Sequence, residues 1–192
     1  IIKHYNNYGF NKFIIATGYK KEIINTYFKN NKKKFSNLEI KPIFTGKNSL
    51  TGTRVKKLSK YLKDDNFFLT YGDGLSSVNI KKLHEFHLKN KKFLTITAVH
   101  PPARFGELML SKNTVKSFEE KPQLQKGWIN GGFFVLNKKF LNLIYQKNEM
   151  LERGPIQRAV KLNSVCAYKH EGFWHCIDTK RDKDLLENLI LS

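Results

Sequence analysis

Asp73 follows the apolar run Asn66 to Tyr71 directly and stands between two glycines, Gly72 and Gly74. In an open α/β sheet ligands collect beyond the carboxyl ends of the strands, so an acid in that place is a candidate site residue. Flanking glycines let the backbone turn sharply and leave the carboxylate open, which suits a hard cation such as Mg²⁺ that also holds phosphate oxygens. The same three residues read equally well as a plain turn. Asp178 offers a second carboxylate after the aromatic segment Gly172-Phe173-Trp174-His175. Its alternative role is to cap the last helix by accepting from free N–H groups at the helix start. Together Asp73 and Asp178 would make a two-carboxylate Mg²⁺ site, which their separation in sequence neither supports nor opposes.

Lys121, within Glu120-Lys121-Pro122, ends a strand with a point charge that could neutralise a phosphate. Asn130 can donate and accept toward sugar hydroxyls, and Gly131 and Gly132 beside it read either as room for a ligand or as a bulge. No phosphate-binding loop, dinucleotide loop or serine nucleophile elbow is present. His170, His175 and Cys176 match no usual zinc spacing and are read as structural. His84 and His87, three apart on one helix, are read as a helix edge partly exposed to solvent.

These residues need elements to hold them. Asn11 to Thr17 reads as a strand, Lys20 to Phe28 as a helix, and Leu38 to Phe44 as a strand. Val55, Leu58, Tyr61 and Leu62 mark a second helix, Asn66 to Tyr71 a strand, Ile80 to Asn90 a helix and Phe93 to Val99 a strand. Strands alternating with helices predict a Rossmann-like α/β fold, a mostly parallel mixed sheet flanked by helices. After Pro101-Pro102 short strands follow, at Gly106 to Leu110, Val115 to Glu119, Gly131 to Leu136 and Ser164 to Lys169, before a closing helix over Lys180 to Leu191. No linker or repeat divides the 192 residues, so one domain is expected.

Thirty-five Lys and Arg against 16 Asp and Glu give a net charge of +19. Such an excess raises a polyanion as a partner. Apart from Lys32-Lys33-Lys34 the lysines are scattered, which describes a soluble surface, and nucleic acid is not the expected partner. The two cysteines form no disulfide framework, and no apolar stretch reaches the length of a membrane span. A cytoplasmic location away from membranes is therefore expected. The opening run Ile1 to Tyr5 starts an apolar pattern with no capping residue ahead of it, so the start is expected to be cut.

An ordered series of motifs resembles the glucose-1-phosphate cytidylyltransferases of the sugar-phosphate nucleotidyltransferase superfamily. It runs from Tyr8-Gly9-Phe10 and Gly18-Tyr19-Lys20 through Thr45-Gly46, Thr51-Gly52-Thr53-Arg54 and Thr70-Tyr71-Gly72-Asp73-Gly74. It continues with Pro101-Pro102-Ala103-Arg104-Phe105-Gly106, Glu120-Lys121-Pro122, Trp128-Ile129-Asn130-Gly131-Gly132-Phe133-Phe134, Gly172-Phe173-Trp174 and Asp178-Thr179. The resemblance implies that CTP and α-D-glucose 1-phosphate give CDP-glucose and pyrophosphate, on the way to deoxysugars of surface polysaccharide. It implies in-line attack by the sugar phosphate with no covalent intermediate, so that catalysis rests on positioning and charge neutralisation. On this resemblance Asp73 and Asp178 hold Mg²⁺, Lys121 binds the sugar phosphate, and Asn130 and Gly131 contact the sugar. Thr51, Arg54 and Gly72 meet the nucleotide, and a homo-oligomer is implied.

The departures carry expectations of their own. Members of the family open with a strand and a glycine-rich loop bearing an essential Arg, which are absent here, so the single domain is expected to be incomplete at its N-terminus. On its own such a chain is expected to be inactive and poorly stable. Thr53 stands where the family usually has a second glycine, and Gly154 replaces a usual Glu. Two alternatives stand beside this reading: another sugar-1-phosphate nucleotidyltransferase, or an inactive degenerate protein that binds polyanions.

Overall fold

The structure is a computed structural model and describes residues 1–102, 106–120, 127–145 and 147–191. Its elements run α1 (Ile2–Asn6), β1 (Lys12–Thr17), α2 (Lys21–Asn30), β2 (Glu39–Phe44), α3 (Thr51–Leu58), β3 (Asn66–Thr70), β4 (Gly74–Ser76), α4 (Ile80–Asn90) and β5 (Leu94–Val99). There follow β6 (Glu107–Ser111), β7 (Thr114–Glu119), β8 (Ile129–Asn137), α5 (Pro155–Lys161), β9 (Val165–Lys169), β10 (Trp174–Cys176) and α6 (Lys180–Leu191). The fold is α/β with parallel and antiparallel pairs. Four strands lie side by side in the order β3-β8-β5-β9, and three further pairs are β1-β2, β4-β10 and β6-β7. Every strand and long helix read from the sequence is present, with ends shifted by a residue or two except for α3, which starts and stops four residues earlier than the Val55 to Leu62 reading.

The chain divides into two compact units. The first comprises Ile1–Leu69, Ile80–Thr95 and Val135–Cys166. Here β1 and β2 pair in parallel from Lys12↔Glu39 to Thr17↔Phe44, a connection that requires a crossover, and α2 supplies it. The core is built from Tyr5, Ile80, Leu83, Leu94, Phe140 and Leu151, each under 5% exposed. Tyr5 meets Phe13 and Phe68 edge-on with ring centroids 6.4 and 5.3 Å away, so α1 is anchored by aromatic contact.

A polar chain crosses this core. His87 is 2% exposed, which overturns the sequence expectation of a partly exposed helix edge. Its Nδ1 lies 2.8 Å from Thr95 Oγ1 and its Nε2 3.1 Å from Asn66 Oδ1. Asn137 Nδ2 also donates to Asn66 Oδ1, at 3.0 Å. An amide oxygen only accepts, so Nε2 of His87 carries the proton and Nδ1 accepts from the Thr95 hydroxyl. Thr95 Oγ1 is then left to accept from Cys166 Sγ, 3.2 Å away. Burial, with the nearby charge of His84 adding to it, pushes the His87 imidazole down to about 4. The sequence showed only the i, i+3 spacing; the partners come from β3, β5 and β8, which periodicity on one helix cannot report.

The second unit comprises Thr70–Asn79, Ile96–Phe134 and the residues from Ala167 onward. Its β6-β7 hairpin has a bulge between Met109 and Leu110, and β4 pairs antiparallel with β10. Val78, Val99, Phe133, Phe134 and Leu186 are among its buried apolar residues, each at 2% exposure or less. Phe133 and Phe134 are consecutive and both buried, so β8 is covered on both faces, as its unbroken apolar run requires. Gly131 is fixed by close packing: a Cβ there would stand 2.9 Å from Val99 Cγ1 and 3.1 Å from Thr97 O. Among the described residues no helix is long and apolar enough to cross a membrane.

Candidate active site

The β4-β10 ladder determines where the two aspartates stand. Its register pairs Trp174 with Ser76, His175 with Leu75 and Cys176 with Gly74. One step further, the N–H of Ile177 donates to the carbonyl of Asp73 at 2.8 Å. Asp73, leaving β3, and Asp178, just past β10, therefore emerge at the same end of one short ladder. A carboxylate oxygen of each and the Sγ of Cys176 all lie within 4.8 Å of one another. Both carboxylates are exposed.

Cys176 is the member of this cluster that the sequence reading passed over as structural. A signal was available, since residues 176 and 178 are two apart on an extended segment and so share a side. Its thiol donates to Asp178 Oδ1 at 3.2 Å. Burial first, then that hydrogen bond and the charges of Asp73, Asp178 and Asp182, push the thiol up to about 12. It stays protonated at neutral pH, and the cluster offers oxygen rather than sulfur. Two exposed carboxylates from the protein are what Mg²⁺ takes when phosphates and water complete its octahedron. The residues fit that ion, and Asp73 and Asp178 are the ones that would hold it.

Thr179 and Asp182 cap the start of α6. The N–H and hydroxyl of Thr179 donate to Asp182 Oδ2 at 2.8 and 2.9 Å, and the N–H of Asp182 returns to Thr179 Oγ1 at 3.2 Å. That reciprocal pair is a capping box with Asp in the third helical position.

Around the ladder, Trp174 Nε1 donates to Gly131 O at 2.8 Å, and a Cβ on Gly74 would meet that same oxygen at 3.6 Å. The N–H of Tyr71 donates to Gly132 O at 3.0 Å. Asn130 is exposed, and its Oδ1 accepts from the N–H of Gly132 at 2.9 Å, a local turn that Gly132 allows with φ of +75°. Gly72 is exposed with nothing within 4 Å of where a Cβ would stand. Lys121 lies outside the described residues, as do Ala103, Arg104, Phe105 and Pro122.

Thr51 and Arg54 belong to the first unit. Thr51 Oγ1 accepts from the N–H of Leu151 at 2.8 Å and donates to Glu152 Oε2 at 3.1 Å. Arg54 donates from Nη1 to Thr17 O at 3.0 Å and to Thr45 Oγ1 at 2.6 Å, across the carboxyl ends of β1 and β2. Gly18 is what lets the guanidinium in, for a Cβ there would stand 2.6 Å from it.

Residues 1–175 match the profile of a family described as nucleotidyl transferase. The chain belongs to the nucleotidyl transferase family. A glucose-1-phosphate cytidylyltransferase of Salmonella typhi is 38% identical, across 98% of this chain and 81% of its own length. A D-glycero-α-D-manno-heptose 1-phosphate guanylyltransferase of Aneurinibacillus thermoaerophilus is 32% identical, across 72% of this chain and 60% of its own length. Among solved structures, HddC from Yersinia pseudotuberculosis superposes with a TM-score of 0.72 at 21% identity, covering 98% of this chain and 82% of that one, which shows the shared fold.

In this nucleotidyl transferase the two departures from the cytidylyltransferase pattern meet at one residue. The N–H of Glu149 donates to Thr53 Oγ1 at 3.0 Å, and a Cβ on Gly154 would stand 2.5 Å from Glu149 Oε2. Threonine at 53 supplies an acceptor that glycine cannot, and glycine at 154 leaves the room that the Glu149 carboxylate takes.

Proposed function

We propose that this nucleotidyl transferase moves the cytidylyl group of CTP onto glucose 1-phosphate, giving CDP-glucose and pyrophosphate. The observation that carries the reading is the pair of carboxylates, Asp73 and Asp178, set within 4.8 Å by the β4-β10 ladder in a chain 38% identical to a glucose-1-phosphate cytidylyltransferase. Mg²⁺ held between them would offset the charge that gathers on the triphosphate as pyrophosphate leaves.

The chain's own residues then position and neutralise. Asp73 and Asp178 would hold the cation, which would supply positive charge to the triphosphate end. Lys121 supplies a positive charge to the sugar phosphate, whose oxygen attacks the α-phosphorus in line. Asn130, with its Oδ1 turned to the N–H of Gly132, presents its amide to a sugar hydroxyl beside the Gly131 main chain. Thr51, Arg54 and Gly72 form the nucleotide end. No covalent intermediate is required, so the rate comes from orientation and from charge placed in advance.

A second reading, transfer to another sugar 1-phosphate or from another nucleotide, draws on the heptose 1-phosphate guanylyltransferase relative at 32% identity. One substrate panel separates the two. The protein expressed from its complete open reading frame is mixed with Mg²⁺, each nucleoside triphosphate and each hexose or heptose 1-phosphate, and pyrophosphate release is followed. Release that needs both CTP and glucose 1-phosphate supports the first reading. Release with a different pair supports the second, and no release with any pair sinks both.

A further inference from the structure

The first turn of α3, which carries Thr51 and Arg54, has no cap of its own. Leu50 precedes it and offers no side-chain hydrogen bond to the free N–H groups. Those donors find partners on another segment instead: the N–H of Leu50 donates to Asn148 Oδ1 at 2.9 Å and that of Thr53 to Glu149 O at 3.3 Å. In return the N–H of Glu149 donates to Thr53 Oγ1, and that of Leu151 to Thr51 Oγ1 at 2.8 Å. The approach is so close that a Cβ on Gly52 would stand 2.9 Å from Glu149 O.

What holds Glu149 is its side chain. The residue is 5% exposed. Its Oε1 accepts from the N–H of Tyr145 at 2.9 Å, and its Oε2 is paired with Arg158 of α5. Arg158 donates from Nε to Leu143 O at 2.9 Å and lies over the Tyr145 ring, 4.1 Å from its centroid. A buried carboxylate held from two sides cannot change rotamer without leaving a charge unpaired, so its main chain is held as well.

We infer that Glu149 is a positioning residue for the nucleotide: locked by Arg158, it sets the first turn of α3 and thereby the place of Thr51 and Arg54. The inference rests on the reading of those two residues as the nucleotide end. Coupling runs from α5 through the 149 main chain to α3, and from Arg54 to the carboxyl ends of β1 and β2.

The test uses the full-length protein with Mg²⁺ and measures KM for CTP, KM for glucose 1-phosphate, kcat and the melting temperature. Thr53→Val removes one acceptor at nearly constant volume, Glu149→Gln removes the charge, and Arg54→Lys probes the nucleotide end directly. The expected result is a KM for CTP raised about tenfold in both Thr53→Val and Glu149→Gln, the loss of roughly one hydrogen bond's worth of orientation. KM for glucose 1-phosphate and kcat stay within about twofold, the signature of lost nucleotide binding alone. A CTP KM raised by Arg54→Lys but unmoved by the other two overturns the inference and leaves the nucleotide reading standing. A CTP KM unmoved in all three removes the nucleotide reading and the inference with it. Both KM values rising together with a fall in melting temperature marks Glu149 as structural only, and also overturns the inference.

Discussion

Acidification bears on the stability of this protein through His87. The imidazole is 2% exposed, hydrogen-bonded at both nitrogens to neutral groups, and held down at about 4 against an ordinary value of 6.5. Between those two values the unfolded chain binds a proton that the folded one refuses, so stability falls as pH falls, by about 1.4 kcal/mol per pH unit. The contribution is complete above about pH 6.5 and exhausted near pH 4, and over that window it sums to about 3 kcal/mol. Carboxylates titrate at the low end of the same range, so the variant His87→Gln supplies the baseline. Urea unfolding of both proteins at half-unit steps from pH 7.5 to 4, with midpoints and slopes fitted together, gives the difference directly. That difference is expected to shrink steadily below about pH 6.5. A difference independent of pH would refute the reasoning, because it would mean that His87 keeps an ordinary affinity for protons in the folded state.

Asp73→Asn and Asp178→Asn should each lower turnover by about 10²–10³-fold and weaken Mn²⁺ binding followed by electron paramagnetic resonance; Mn²⁺ affinity equal to that of the parent would remove that aspartate from the cation site. Cys176, pushed up to about 12, should react with iodoacetamide at pH 8 roughly 10³-fold more slowly than free cysteine. Asp178→Asn should speed that reaction, and a fast reaction in the parent would show that the thiol is not held protonated by its neighbours. Thr97 has a buried hydroxyl with no hydrogen-bond partner among the described residues, so Thr97→Val should raise stability by about 1 kcal/mol in thermal unfolding. A lower melting temperature would mean that the hydroxyl has a partner after all.

Periodicity carried most of the fold. β1, β2, β3, β5 and α4 are long enough, and their apolar residues regular enough, for alternation or helical spacing to show. It could not carry α5, seven residues entered through Gly154-Pro155, or β4 and β10, three residues each, which are defined by pairing with one another. The candidate site shows the same limit. Asp73 was legible because a strand followed by Gly-Asp-Gly is a local pattern. For Asp178 the capping role and the cation role looked alike, although Thr179-Lys180-Arg181-Asp182 already spelled the capping box observed at the start of α6. The Glu149–Arg158 pair left no trace, since Glu149 lies outside any helix or strand, nine residues before Arg158 of α5, and shares no periodic face with it.

The short β4-β10 ladder also fixes an order of assembly. During synthesis Asp73 is made early and waits, while its partner carboxylate arrives only once Asp178 has left the ribosome and β10 has docked. A chain halted before residue 178 would carry Asp73 without the second carboxylate of the proposed pair. The two carboxylates proposed to share a cation are therefore brought together only after β10 has been made and has paired with β4.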